Sequence, residues 1–144
     1  MISAFQSDNS AQVDRMIQIW RSATQVAHPF MTQPFLDKEA SNIRNIYILH
    51  TQSWIWMVDG EMMAFISMIG NEIGGLFVDP SLHGKGIGTQ LVDHVAEMHP
   101  TLEVEVFEEN ALGRPFYEKF GFRPIKRYIH EETQQPVLRL FWEK

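Results

Sequence analysis

The sequence LFVDPSLHGKGIGTQL, residues 76–91, decides the fold. An apolar run leads into Pro80, and glycines follow at every second position from Gly84 to Gly88. The stretch therefore predicts a strand, a glycine loop and a helix. The helix is predicted because apolar residues recur at helical spacing, at Ile87, Leu91, Val92, Val95 and Met98.

The loop in this stretch is a predicted anion site. Closely spaced glycines let a backbone turn tightly and let a ligand approach the main chain. The helix that follows presents unpaired N–H groups and a partial positive charge, so the expected ligand group is a phosphate or pyrophosphate. Two familiar phosphate loops do not fit, since Thr89 stands where the dinucleotide fingerprint needs glycine and Gly86 stands where the P-loop needs serine or threonine. An ordinary tight turn between strand and helix is the alternative.

Length and charge limit the possible functions. The 144 residues predict a single domain, 1–144. The formal net charge of -6 argues against a nucleic-acid partner, because such proteins are usually basic, and it suits a basic protein or an amine. The absence of cysteine excludes disulfides, thiolate metal sites and a cysteine nucleophile. Neither a signal-peptide pattern nor an apolar run of about 18 residues is found, so we expect a cytoplasmic protein without membrane association.

The predicted elements add up to an α/β (mixed α+β) fold with helices on both faces of one sheet. The sheet is expected to be twisted and mostly antiparallel, with six or seven strands. Its central pair, 73–78 and 102–107, is expected to be parallel, because a helix with a right-handed crossover joins the two strands. Asp59-Gly60 predicts a hairpin turn, and Gly74-Gly75 indicates a bulge or the close approach of a ligand. The remaining predicted elements are a strand near 2–6, helices ending near Ala27, Tyr47 and His99, a short helix from Gly113 or Arg114, and strands at 54–58, 62–69, 122–130 and 137–142.

A second motif, NALGRPFYEKFGF, occupies residues 110–122. It resembles Asn-x-x-Ala/Gly-x-x-Phe/Leu-Tyr-x-x-x-Gly-Phe of the GNAT N-acetyltransferase superfamily. The glycine loop resembles the acetyl-CoA loop of that superfamily, Gln/Arg-x-x-Gly-x-Gly/Ala, with His83 at the first position. The two motifs follow each other in the family order and spacing. The chain is therefore similar to small, single-domain, bacterial-type members, and in its motifs to protein N-terminal and lysine acetyltransferases.

The resemblance implies a GNAT fold that binds acetyl-CoA without a metal. Backbone groups at the end of the first of two splayed parallel strands would bind the pantetheine arm and the acetyl carbonyl, and amides of the glycine loop would hold the pyrophosphate. Asn110 would contact the CoA, and Tyr117 would be the general acid near the thioester sulfur. The other implied cofactor-binding residues are Leu76, Phe77, Val78, Gly84, Lys85, Gly86, Ile87, Gly88 and Thr89.

The general base has two candidates. Glu105 matches the catalytic glutamate of members similar to the ribosomal-protein N-terminal acetyltransferases, and Glu72 lies where histone-type members carry theirs. Each could instead be a solvated acid on a strand or turn, and many family members deprotonate the amine through waters. Tyr117 could likewise be a core aromatic residue beside Phe116 and Phe120.

The sequence thus predicts an acetyl-CoA-dependent N-acetyltransferase whose acceptor is an amine of a protein N-terminus, a lysine or a small molecule. A thioester already activates the acetyl group, so direct attack by an amine suffices, in agreement with the absence of cysteine. The alternative is a non-catalytic acetyl-CoA-binding regulatory module. A toxin-type enzyme acting on aminoacyl-tRNA fits less well, since tRNA would repel an acidic protein. The predicted oligomeric state is a monomer or a homodimer.

Overall fold

The computed structural model describes residues 1–144 and contains seven strands and five helices. None of these helices has both the length and the apolar character that crossing a bilayer would require. The strands are β1 (Ile2–Ala4), β2 (Gln52–Val58), β3 (Glu61–Ile69), β4 (Glu72–Val78), β5 (Thr101–Phe107), β6 (Arg123–Ile129) and β7 (Pro136–Glu143). The helices are α1 (Ser10–Ala27), α2 (Gln33–Asn42), α3 (Ile48–His50), α4 (Ile87–Ala96) and α5 (Gly113–Phe120), with a π-helical turn at Ile43–Tyr47 and a 3-10 turn at Pro80–Leu82.

The seven strands form one sheet in the order β1-β2-β3-β4-β5-β7-β6. Every neighbouring pair is antiparallel except β4–β5, which is parallel and is connected through α4. The predicted mixed, mostly antiparallel sheet with a central parallel pair is confirmed. Asp59 and Gly60 close the β2–β3 hairpin with φ angles of 49° and 80°, the left-handed conformation that a two-residue hairpin turn requires.

The parallel strands separate soon after they meet. β4 and β5 pair at only two positions, the second being Ile73 with Val104. On its other side β4 stays paired with β3 as far as Val78, but the register shifts and leaves Gly74 unpaired. This is the bulge that the glycine pair predicted, and a bulge bends its strand. A gap therefore opens between the two strands, with residues 76–78 along one side.

Helices cover both faces of the sheet, and each face has its own core. The core on the α4 and α5 face contains 16 buried residues, with Leu91 and Leu102 among the fully buried ones. The core on the α1 and α2 face contains only seven, including Met16 and Ile19. The second face therefore has the smaller core, and a partly apolar cavity adjoins that core.

Three details of the helices differ from the sequence predictions. The helix expected to run to His99 ends at Ala96, because the chain tightens and the N–H of Met98 donates to the carbonyl of Val95 at 3.0 Å. In α1, the spacing of Val13, Met16, Ile17 and Trp20 predicts Ile17 on the buried face, but Ile19 is fully buried and Ile17 only partly. The helix predicted to continue to Tyr47 changes to π-helical geometry after Asn42, and the apolar spacing contains no signal for that change.

Candidate active site

A cleft of about 1200 Å³ opens where β4 and β5 separate. Its walls come from α1 and α2 on one side and from the glycine loop, α4 and α5 on the other. The cleft brings together both sequence motifs and both candidate bases. The predicted site residues that line it are Glu72, Leu76, Phe77, Val78, Gly84, Lys85, Gly86, Ile87, Gly88, Thr89, Glu105, Asn110 and Tyr117.

The glycine loop forms an open concavity at the start of α4. Gly84 and Gly86 have φ angles of 79° and 81°, which other L-residues adopt only at a cost. Nothing lies within 4 Å of the position that a Cβ would take at either residue. Gly86 precedes the first turn of α4 and offers no side-chain cap, so the first N–H groups of that helix lack partners within it. This concavity fits the diphosphate of a coenzyme, which the amides and the helix dipole would stabilise.

Gly88 and His83 act through packing and hydrogen bonding, unlike Gly84 and Gly86, which shape the open concavity. A Cβ at Gly88 would lie 3.2 Å from the ring of Phe116, so the missing side chain lets α4 pack closely on α5. His83, at the position where the motif has glutamine or arginine, turns back on the loop, and its Nε2 lies 2.9 Å from the carbonyl oxygen of Val78. The imidazole thereby ties the loop to the end of β4.

Tyr117 lies on α5 at the wall of the cleft, with only 6% of its surface exposed. Its ring packs edge-on against Phe116 and Phe122, with centroid distances of 5.1 and 5.2 Å. Burial raises the pKa of the Tyr117 phenol well above its ordinary value. The hydroxyl therefore keeps its proton at neutral pH and can act as a donor toward the cleft.

Asn110 shapes the chain just before α5. Its Oδ1 accepts hydrogen bonds from the backbone N–H groups of Leu112 and Gly113, at 3.2 and 2.7 Å. These bonds satisfy donors that would otherwise have no partner at the beginning of the helix. The Nδ2 group is left to donate to a ligand in the cleft. The asparagine of the motif thus has a structural role that the sequence did not predict.

The two candidate bases occupy different electrostatic environments. Glu72 accepts a hydrogen bond from Arg139 at 2.7 Å, and the same guanidinium donates to Glu103 at 2.9 Å. Glu105 makes no ion pair, lies exposed on β5, and accepts a hydrogen bond from the hydroxyl of Tyr128. Glu72 is therefore held by a cation, whereas the carboxylate of Glu105 faces the cleft without one.

His28 also lines the cleft and was not assigned a role from the sequence. Both of its ring nitrogens are buried without a hydrogen-bond partner. The ring packs edge-on against Phe30 and Phe107, at centroid distances of 5.7 and 4.9 Å, and Phe107 packs in turn against His130 at 5.3 Å. Burial lowers the pKa of His28 from 6.5 to about 4. No sequence signal marks this residue, because Phe107, its nearest aromatic neighbour, comes from a distant part of the chain.

The buried imidazole predicts a loss of stability in acid. Between pH 6.5 and about 4 the unfolded chain protonates His28 while the folded protein does not, so the free energy of unfolding falls as the pH falls through this window. We expect a contribution of about 1–2 kcal/mol, after allowance for the partial exposure of the ring. His28→Phe should weaken the pH dependence in urea unfolding from pH 8 to 4, whereas substitution of the exposed His50 by glutamine should not. Equal slopes for both variants would contradict the role given to burial.

Comparisons with known proteins agree with this geometry. The model of the Acetyltransferase (GNAT) family matches residues 14–122. The chain is 29% identical to peptidyl-lysine N-acetyltransferase YiaC of Escherichia coli (strain K12) over 133 residues, covering 92% of this chain and 91% of that protein.

Two solved structures extend the comparison to the fold. The apo form of YjaB from Escherichia coli superposes with a TM-score of 0.86 at 23% identity, covering 99% of this chain and 96% of that one. An aminoglycoside 6'-N-acetyltransferase complexed with coenzyme A superposes with a TM-score of 0.70 at 16% identity, with coverage of 99% and 96%. Since the family model spans well over half of the sequence and both motifs lie together in the cleft, the chain belongs to the GNAT family of acetyltransferases and is an N-acetyltransferase.

Proposed function

We propose that this protein transfers an acetyl group from acetyl-CoA directly to the side-chain amine of a protein lysine. The observation that carries the proposal is the single cleft that holds the glycine loop, the separated strand edge and the Tyr117 ring. The lysine acceptor is supported by relatives named peptidyl-lysine N-acetyltransferases, YiaC and YjaB. It is also supported by carboxylates on the cleft wall, Glu39, Glu72 and Glu105, which would attract an ammonium group.

The residues that would hold the coenzyme follow from the site. Amides of residues 84–89 would bind the diphosphate, because the concavity there is open and the helix start lacks partners. The free edge of β4 at residues 76–78 would receive the pantetheine arm by backbone hydrogen bonds, as an unpaired strand edge does for an extended ligand. Asn110 would add its Nδ2 donor. The thioester supplies an acetyl group that is already activated for attack.

The protein itself would supply a general base, hydrogen-bond donors for the oxyanion and a general acid. Glu105 would take a proton from the incoming ammonium group, directly or through water, and thereby free the amine lone pair. Backbone N–H groups at the free edge of β4 would stabilise the negative charge that develops on the carbonyl oxygen. As the C–N bond forms and the C–S bond breaks, Tyr117 would donate its proton to the departing thiolate, and the second proton lost by the nitrogen would return to the phenolate, directly or through water. Edge-on contacts with Phe116 and Phe122 hold the Tyr117 ring at the cleft wall.

Glu105→Gln is expected to lower kcat/KM about 100-fold at pH 7, the lower end of what general acid–base catalysis supplies, because glutamine cannot accept the proton of the acceptor but water still can. The loss should shrink toward the lysine pKa of about 10.4, where the amine loses its proton unaided. The pH profile of CoA release measures both effects. Glu72→Gln is the comparison, and we expect lower stability from the broken contact with Arg139 but a smaller loss of activity. If the Glu72 variant were the slower of the two, Glu72 and not Glu105 would be the general base.

The proposal is tested by incubating the purified protein with acetyl-CoA and a panel of lysine peptides, N-terminal peptides and small amines. Release of free CoA together with a mass increase of one acetyl group on the lysine peptides is the expected result. Tight binding of acetyl-CoA without transfer to any amine would contradict it and would favour the regulatory module. Transfer only to α-amines or only to small amines would show that lysine is not the acceptor, while acetyl transfer from acetyl-CoA to an amine would stand.

A further inference from the structure

A second cavity of about 310 Å³ lies beside the cleft, on the sheet face covered by α1 and α2. The π-helical turn and the start of α3 form its outer wall, through Ile43 and Ile48. Its inner walls are also largely apolar, with Met16 and Phe65 among them. The volume is at the small end of the range for ligand pockets. The residues that line both this cavity and the cleft are Trp20, Glu39, Ile69, Gly74, Gly75 and Phe77, so the two spaces adjoin.

The glycine pair in β4 lies where the two spaces adjoin, and Gly74 and Gly75 line both of them. A Cβ at Gly75 would lie 2.6 Å from the ring of Phe77, so any side chain at that position would force the ring to move. Gly74 is the bulged residue, and a Cβ there would meet Ile69 at 3.4 Å. The pair directly precedes residues 76–78, where the acetyl group would lie. Part of a substrate could therefore enter the cavity while its amine reaches the acetyl group.

The junction between the cleft and the cavity is acidic, whereas the cavity itself is lined mainly by apolar side chains. Glu39 stands at the junction, where it accepts a hydrogen bond from the Nδ2 of Asn42 at 3.2 Å. Glu72 and Glu105 line the adjoining cleft. An acidic junction that leads into an apolar space attracts a cationic amine with an apolar neighbour, and it repels an amine with an acidic neighbour.

We propose that this cavity selects the acceptor by taking an apolar side chain, of leucine or phenylalanine size, next to the lysine that is acetylated. The inference rests on the proposed function of the cleft. Burial of such a side chain would favour the substrate about 10- to 100-fold over one with alanine at that position. The π-helical turn supports the assignment, because such turns are frequent at functional sites.

The test uses peptides with blocked N-termini and one lysine, flanked on either side by leucine, phenylalanine, alanine or aspartate. In the wild type, kcat/KM should be about 10- to 100-fold higher with leucine or phenylalanine than with alanine, and lowest with aspartate. Ile43→Phe fills the cavity and should bring the leucine-to-alanine ratio close to one. Ile43→Ala enlarges it and should raise the preference for phenylalanine over leucine. Leu49→Phe is the matched control, because Leu49 lies on the neighbouring helix, is 68% exposed and does not line the cavity.

Calorimetric titration with the same peptides in the absence of acetyl-CoA measures selection without turnover. Thermal unfolding of each variant identifies any that fails to fold. Equal kcat/KM and equal Kd for all flanking residues would overturn the subsite, and so would an unchanged ratio in both folded Ile43 variants. Another outcome is that no peptide is acetylated, but the Kd values still show the preference and the Ile43 variants still change it. Acetyl transfer to lysine would then be wrong, whereas binding of an apolar side chain in the cavity would stand.

Discussion

Replacing Tyr117 with phenylalanine is expected to lower kcat about 100- to 10,000-fold, the range that general acid catalysis supplies. Without the phenol, the thiolate must leave without a proton. The affinity for acetyl-CoA should change little, because phenylalanine retains the edge-on contacts with Phe116 and Phe122. Spectrophotometric detection of released thiol gives kcat, and calorimetry gives the Kd of acetyl-CoA.

The acyl donor provides a control that separates proton donation from a structural role of Tyr117. A donor with a more acidic leaving thiol needs less help from an acid, so the deficit of Tyr117→Phe should shrink with that donor. A packing defect would slow both donors equally and would lower the unfolding temperature. Release of CoA at the wild-type rate with every accepted amine would show that the acid role is wrong.

Gly86→Ala is expected to raise the Kd of acetyl-CoA about 100-fold. The new methyl group would project into open space beside the start of α4, where the diphosphate is expected to lie. Losing one or two hydrogen bonds to a charged group costs about 1.5–3 kcal/mol each, and about 1.4 kcal/mol corresponds to a tenfold change in affinity. Calorimetric titration with acetyl-CoA and with CoA measures the loss, which should be similar for both because the acetyl group is not involved.

Gly60→Ala is a closely matched control for this substitution. Gly60 has a φ of 80° against 81° at Gly86, and nothing lies within 4 Å of a Cβ at either position. Both variants therefore incur a similar backbone cost, about 1 kcal/mol. Only Gly86→Ala should weaken coenzyme binding, since Gly60 lies in the β2–β3 hairpin and does not line the cleft. Equal effects on Kd would mean that global strain, and not the loop, governs binding.

The parts of the site that the sequence could predict are those encoded by neighbouring residues. Alternating glycines before an apolar 3.6-residue period specify a loop and a helix start locally, and the loop does lie at the start of α4. The bulge at Gly74 was predictable for a similar reason, since a glycine inside a strand weakens the regular pairing and often marks a bulge. The parallel pairing of β4 and β5 followed from the helix between them.

The parts that escaped prediction depend on contacts between distant segments. His28 is neutral because Phe30 and Phe107 surround it, and Phe107 is about 80 residues away along the chain. Arg139 meets Glu72 only because β7 is inserted beside β5 in the sheet. The π-helical turn changes neither composition nor apolar spacing, so no local pattern distinguishes it from ordinary helix.

The close approach of Gly88 to Phe116 constrains how this sequence can diverge. The ring of Phe116 occupies the space that a side chain at 88 would need. Any lineage that gains a larger residue at 88 must lose bulk at 116, or else push α4 and α5 apart. We therefore expect substitutions at these two positions to arise in compensating pairs.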